Sequence, residues 1–415
     1  MNQAITVVLH DTEVGILRHA AQGKRESASF EYLPQWQTSA QAFPLEPQLP
    51  VVRGPQFHKR IGDGSVFHAI IADTEPDGWG KRVILRDYAK RRRADASKAP
   101  LHSLDFLLAV EDLCRIGGLR FKDANGHYLR TSHDGARTPQ LLELSHLLAA
   151  SHAVESQSES QRDLTYLQGR ATSVGGLRPK CNVIDDNGKL SIAKFPSITD
   201  ERPVAKGEVL ALTLAQHAGI NAAPARIVSV SGLPVALIQR FDRRDDHRIL
   251  YASAATMLGV QATEERSYTE IATVLRQVGH QPLADICELW RRIAFSILIT
   301  NVDDHLLNHG FLHVANGQWR LSPAFDINPF PDRLRELKTW ISEDAGPEAR
   351  IEFLWASISQ FGIRKALAKE ILGDVVRAVA RWKTVAKQLG FTSKEVDSFA
   401  NAFEHEERRS AAKLL

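Results

Sequence analysis

The chain has 415 residues, 43% hydrophobic and 24% charged, values that exclude a wholly disordered, collagenous or coiled-coil protein. At roughly 150 residues per domain, this length suits two or three domains. Lys and Arg total 52 against 49 Asp and Glu, a formal net charge of +3, so the whole molecule is not a polycation that coats nucleic acid or membrane. Any nucleic-acid contact must come from a local patch.

The cysteines Cys114, Cys181 and Cys287 are odd in number and far apart. They build neither a disulfide framework nor a CxxC zinc knuckle, and a reducing cytosol is their simplest home. The first ten residues lack the basic start and long apolar run of a secretory signal. The least charged stretch, after Glu208, carries Gln216, His217 and Asn221 and is broken by Pro224, a poor membrane span. A soluble cytoplasmic protein without a membrane partner is expected.

In chain order, the alternating Ile5 to Leu9 and Gly15-Ile16-Leu17 predict a strand pair turning at Asp11-Thr12-Glu13. A loop follows with Pro44, Pro47, Pro50 and Pro55, then Pro76-Asp77-Gly78-Trp79-Gly80 and a helical run from Lys81 to Arg93. Between about 122 and 172 the chain is more polar, and Ser156 to Gln161 reads as an exposed linker or loop. Asn182-Val183-Ile184 and Leu190 to Phe195 flank Asp185-Asp186-Asn187-Gly188, a strong hairpin signal because Asn-Gly tolerates positive φ. A second hairpin joins Ala225 to Val230 with Pro234 to Gln239 through Ser231-Gly232. Between the hairpins, Gly207 to Gly219 reads as a helix closed by its glycine. Beyond about 250 the chain is mainly helical, interrupted by one hairpin of Phe311 to Val314 and Gln318 to Leu321. The order suggests an α+β protein of two lobes, a β-rich one and a helical one. Its domains are expected at 1–130, 131–243 and 244–415.

The most informative segment is Asn301-Val302-Asp303-Asp304-His305-Leu306-Leu307-Asn308. An Asp followed five positions later by Asn has the spacing of a kinase catalytic loop. There the carboxylate accepts the proton of the attacking hydroxyl and the amide oxygen helps hold Mg²⁺. A further carboxylate, Asp326, follows the late hairpin in Ser322-Pro323-Ala324-Phe325-Asp326-Ile327. Alone, such acidic residues equally describe helix caps. Ser173-Val174-Gly175-Gly176-Leu177-Arg178-Pro179-Lys180 stands directly before the Asn-Gly hairpin. Its glycines let backbone amides approach phosphates, and Arg178 and Lys180 add positive charge. Taken singly, it could be an ordinary turn. Lys194 sits on the second strand of that hairpin and could reach phosphates, or simply protect a sheet edge. Glu208 opens the next helix and could pair with Lys194, or stabilise the helix N-terminus. Gln239-Arg240-Phe241 leaves the second hairpin where a hinge would offer backbone groups to an adenine. The order of these pieces is that of a kinase, which separates them from their bland readings.

The sequence resembles the bacterial HipA family of serine/threonine kinase toxins from toxin–antitoxin pairs. The likeness rests on Ser173 to Lys180, Ile192 to Pro196, Gln239 to Arg244, Asp303 to Asn308 and Ser322 to Ile327. Pro76 to Gly80 and Asp105 to Val110 are similar to the family's N-terminal subdomain. The resemblance implies an ATP- and Mg²⁺-dependent kinase with a kinase-like fold. It implies Asp303 as base, Asn308 and Asp326 as metal ligands and Lys194 on the phosphates. His305 and Phe325 would line the nucleotide site beside Val174 to Lys180 and Gln239 to Phe241. Ser173 matches the family's autophosphorylated serine, whose modification switches the kinase off. A phosphate there adds about two negative charges where those of ATP belong. The implied partners are a HipB-like helix-turn-helix antitoxin, operator DNA through it, and a translation protein such as an aminoacyl-tRNA synthetase as substrate. Two departures stand out: Gln239 replaces a frequent Glu, and Asp304 replaces a frequent Gly, placing another negative charge near ATP.

Lys81, Arg82, Arg86, Lys90, Arg91, Arg92 and Arg93 form a basic run. They could be a solvated helix face or a docking surface for an acidic partner. No Walker loop, HExxH or GxSxG occurs. The rival readings are a metal-dependent phosphoesterase built on Asp303, Asp304, His305 and His309, and a catalytically silent, ATP-binding co-repressor.

Overall fold

The first strands pair as expected and extend further. β1 (Asn2–Leu9) and β2 (Thr12–Gln22) form a hairpin whose turn residues His10 and Asp11 adopt φ of +49° and +63°, the left-handed pair that tight hairpins need. β3 (Arg25–Tyr32), β4 (Gln56–Phe57) and β5 (Leu119–Lys122) complete an antiparallel sheet ordered β4-β3-β2-β1-β5. No sequence signal marks β3. Its Arg-Glu-Ser-Ala-Ser run has weak strand propensity, and pairing with β2 along its full length sets its conformation. Ile5, Val7, Leu17, Phe30 and Phe121 are buried on one face of this sheet.

The structure, a computed structural model, describes residues 2–23, 25–62, 64–76, 78–131, 139–168, 176–245 and 247–415. The chain divides into two units, residues 1–199 with 229–252 and residues 200–228 with 253–415.

The first unit also holds both strands of the Asn-Gly hairpin, β6 (Lys180–Ile184) and β7 (Leu190–Lys194), in antiparallel register. β8 (Ala225–Val230), within which the division of the chain falls, and β9 (Leu233–Gln239) complete the order β6-β7-β9-β8. Ser231 and Gly232 turn between β8 and β9 with φ of +51° and +80°. The helix expected from Lys81 to Arg93 runs over Gly78–Ala94.

The polar stretch between 122 and 172 is structured on both sides of the expected loop. It carries helices Leu144–Glu155 and Gln161–Leu167, which bury Leu144, Leu147, Leu148, Val154, Leu164 and Leu167. Ser160 caps the second helix reciprocally with Asp163. Residues 156–160 form the expected loop, exposed except at Glu159, which is buried and ion-pairs with Arg86 at 3.2 Å. The polar residues here are caps and buried partners.

The second unit is mainly helical. Its elements include Val204–His217, Tyr268–Val278, Pro282–Leu298, Lys365–Ala380, Trp382–Gln388 and Ser393–Phe403. Pro282 starts the central helix, where its missing N–H costs nothing. That helix buries Leu289, Trp290, Ile293, Phe295 and Leu298, and Trp382 stacks on Phe403 at 4.6 Å. The late hairpin pairs Gly310–Ala315 with Gln318–Leu321 through Asn316-Gly317. No described helix is long and apolar enough to cross a membrane.

Candidate functional site

In the second unit, the segment 301–308 follows closely on the Pro282–Leu298 helix. Thr300 takes a left-handed φ of +56°, its hydroxyl donates to Ala402 O at 2.9 Å, and its carbonyl accepts from Phe330 N at 3.1 Å. Asn301 is buried, its amide donating to Ser296 Oγ at 3.2 Å. These ties fix the start of the loop.

The two adjacent aspartates then go to different environments. The Asp303 side chain is 41% exposed, with Arg333 at 3.3 Å as its ion-pair partner. Asp304 is buried. Its carboxylate accepts from the Tyr268 hydroxyl at 2.7 Å and lies 3.0 Å from His309 Nε2. Burial pushes the Asp304 carboxyl up, but His309 and the Tyr268 hydroxyl outweigh it and hold the group below its ordinary value. Burial, reinforced by Asp304, raises the Tyr268 phenol well above its own. Asp304 is therefore a buried, ionised anchor of the loop, its carboxylate facing Tyr268 and His309. Tyr268 precedes it by 36 positions, so nothing local in the sequence announces the pairing.

Asn308 closes a short 3-10 turn, Leu306–Asn308, and donates its amide to the Asp303 carbonyl at 3.2 Å. That contact leaves the amide oxygen as the end suited to a hard cation. His305 donates its backbone N–H to the same carbonyl at 3.0 Å, and its Nδ1 is buried with no hydrogen-bond partner among the described residues. A buried orphan nitrogen fits a ring that meets a bound ligand. Asp326 has φ of +54°, and its carboxylate accepts from Asn328 Nδ2 at 3.2 Å. Asn328 N in turn donates to Asn301 Oδ1 at 3.2 Å, so Asn301 and Asn328 tether Asp326 to the start of the loop. Neither asparagine carries a recognisable spacing signal. The segment holding Phe325 is fixed by Ala324, whose N donates to Asn221 O at 2.7 Å and whose O accepts from Ala223 N at 2.9 Å. Glu208 is buried on the Val204–His217 helix.

Among the described residues no group of three or more His, Cys, Asp or Glu is arranged to hold a metal ion. The phosphoesterase constellation is divided by burial. Asp304 and His309 lie buried against each other, while the Asp303 carboxylate is at the surface.

In the first unit, Ser173, Val174 and Gly175 lie outside the described residues. Gly176 has φ of +93°, Leu177 is 82% exposed and Pro179 and Lys180 are buried. A Cβ on Gly176 would lie 2.6 Å from Lys180 Nζ, so the glycine leaves room for the ammonium group. The β6–β7 register sets Lys180 directly opposite Lys194. This pair, with Arg178 nearby in sequence, fits phosphates.

The Gln239-Arg240-Phe241 segment differs from the expected hinge at its centre. Gln239 pairs with Ser191, and Arg240 N donates to Leu190 O at 3.0 Å. The Arg240 side chain is buried, bonding Cys114 O at 2.6 Å, Asn182 Oδ1 at 2.8 Å, Arg115 O at 3.1 Å and Asp242 Oδ1 at 2.9 Å. Asp242 also accepts from Gly117 N at 2.7 Å and pairs with Arg243. Burial raises the Asp242 carboxyl, but Arg240 and Arg243 dominate and hold it far below its ordinary range. Arg240 thus locks the end of β9 to residues 114–117. Its backbone N–H is already used by Leu190 O.

The basic run is partly absorbed by the fold. Arg86 pairs with Glu159, Lys90 donates to the Glu159 carbonyl, and Arg91 pairs with Asp87 at 2.6 Å. Lys81, Arg82, Arg92 and Arg93 remain exposed.

With this geometry established, comparison with known proteins identifies the lineage. The model of the HipA-like C-terminal domain matches residues 172–383, and that of the HipA N-terminal domain matches residues 5–122. Putative kinase Y4mE of Sinorhizobium fredii is 27% identical over 186 residues, covering 39% of this chain and 43% of that protein. Putative kinase Y4dM of the same organism is 30% identical over 149 residues, 33% of this chain and 36% of its own length. The match therefore spans less than half the length of these two relatives. A solved structure of HipA with HipB and its operator DNA, from Shewanella oneidensis MR-1, superposes with a TM-score of 0.68 at 16% identity, covering 99% of this chain and 96% of that one. That likeness shows a shared mixed α/β fold. With both family models matched in their order, one over half of its length, the chain belongs to the HipA family.

Proposed function

We propose that this protein is an ATP- and Mg²⁺-dependent serine/threonine protein kinase, the toxin of a toxin–antitoxin pair. The observation that carries the reading is the division of labour between Asp303 and Asp304. One carboxylate is exposed at the surface, and its neighbour is buried as the anchor that holds the loop. The names of the curated relatives, putative kinases, support it.

Asp303 accepts the proton of a serine or threonine hydroxyl as that oxygen bonds to the γ-phosphorus and the bond to the ADP leaving group breaks. Arg333 must release the Asp303 carboxylate before it can take up this proton. When bound, Mg²⁺ neutralises phosphate charge, and Asn308 and Asp326 are the residues that would hold it. Lys180, Lys194 and Arg178 bind the phosphates, and His305 with Phe325 lines the nucleotide. Gln239 and Phe241 present backbone to the adenine.

The Shewanella structure contains HipB and operator DNA. By that likeness we assign this chain a HipB-like helix-turn-helix partner that brings it to DNA. A translation protein such as an aminoacyl-tRNA synthetase is the proposed target, and Ser173 the proposed self-modified switch.

The test is incubation with labelled ATP and Mg²⁺, wild type beside Asp303→Gln, with phosphosites mapped by mass spectrometry. Label on protein in wild type alone, with Ser173 among the sites, is expected. Release of free phosphate without protein label would replace the kinase with a hydrolase, and equal labelling of both proteins would remove Asp303 as base.

A further inference from the structure

The helix Gly78–Ala94 touches the chain on both sides of the segment that leads into β6. At its start, Trp79 N donates to Gly176 O at 2.8 Å. The Gly176–Leu177 peptide lies so close that a Cβ on Gly78 would sit 2.3 Å from Gly176 O and 2.6 Å from its carbonyl carbon. Gly78 also has φ of +43°. Glycine alone meets both requirements there. Two turns along, Asp87 is 3% exposed and accepts from Gln168 Nε2 at 2.8 Å and Gln161 Nε2 at 2.6 Å. Arg91 braces the same place, pairing with Asp87 at 2.6 Å and donating to Gln168 Oε1 at 2.9 Å. One rigid helix thus grips Gln168 through a buried carboxylate and Gly176 through its own first peptides.

A backbone that must meet phosphates gains from being held in place before they arrive, because ordering it on binding costs affinity. We propose that this helix is a positioning element for the nucleotide phosphates, with Gly78 and Asp87 the residues through which it sets the backbone from Gly176 to Lys180. The inference rests on the kinase reading above. It gives the N-terminal part of the chain a direct hold on nucleotide affinity. A basic run on the same helix that already spends Arg86, Lys90 and Arg91 on residues 159–168 is consistent with a brace.

The experiment compares Mg²⁺-ATP with adenosine, which has no phosphates, by calorimetry on the full chain. Gly78→Ala should weaken ATP binding by about tenfold, the size of a buried backbone shift, and leave adenosine within about twofold. Asp87→Asn keeps the Gly78 contact and should weaken ATP alone by about threefold, a smaller effect because Asn retains one acceptor. If Gly78→Ala fails to fold by its thermal transition, Asp87→Asn decides. Folded variants that bind ATP like wild type, or lose ATP and adenosine equally, overturn the proposal. Wild type that binds ATP no better than adenosine overturns the kinase reading, and this inference with it.

Discussion

The junction around Arg240 and the loop around Asp304 both bury charge, but toward different ends. At the first, Arg240 and Asp242 satisfy each other and also bond Cys114 O, Arg115 O, Asn182 Oδ1, Gly117 N and Arg243. The Arg240 and Asp242 side chains are both buried. At the second, Tyr268, Asp304 and His309 close a buried network whose immediate neighbour, Asp303, is left at the surface. The lesson is that motif residues of equal prominence in the sequence divide into ties and reagents. Burial separates the two groups better than residue type does.

The largest effect that could break this comparison is at the tie. Arg240→Ala leaves Asp242 with one arginine fewer and several carbonyls without a donor. Removing one partner of a buried pair costs about 3–5 kcal/mol. A large fall in the thermal midpoint is expected. A variant of unchanged stability that has lost nucleotide affinity would instead make Arg240 a ligand contact.

A smaller effect sharpens the other side. Tyr268→Phe removes one hydrogen bond to a buried carboxylate, worth about 1.5–3 kcal/mol. Because Asp304 is held below its ordinary value of 3.8, the stability it contributes is present above that pH and is lost as pH falls through its folded value. Asp304→Asn should therefore be less stable than wild type at neutral pH, with the gap narrowing in acid. Denaturant unfolding at several pH values reads both; a gap that widens in acid would contradict the network.

Much of the fold was legible where chemistry is local. Asn187-Gly188, Ser231-Gly232 and Asn316-Gly317 announced their hairpins because tight turns need positive φ. β3 stayed hidden because its pairing with β2, not its own residues, makes it a strand. The helices within 144–167 stayed hidden under a polar surface whose residues serve as caps and buried partners. In the site, the Asp-x4-Asn spacing pointed to Asp303 and Asn308. The roles of Arg240 and Asp304 could not be read, since the carbonyls that hold Arg240 come 125 and 126 positions earlier and Tyr268 36 positions before Asp304. Spacing identifies what one turn of chain can arrange, and tertiary contacts decide the rest.

The most direct test of the central claim measures phosphate transfer and thermal stability on the same preparations of Asp303→Gln and Asp304→Asn. Asp303→Gln should lose transfer by about 10²–10⁴-fold, the usual contribution of a positioned base, with its thermal midpoint unchanged. Asp304→Asn should lose stability first and retain transfer in whatever fraction remains folded. An active Asp303→Gln, or a fully stable Asp304→Asn without transfer, would assign the base to the wrong aspartate.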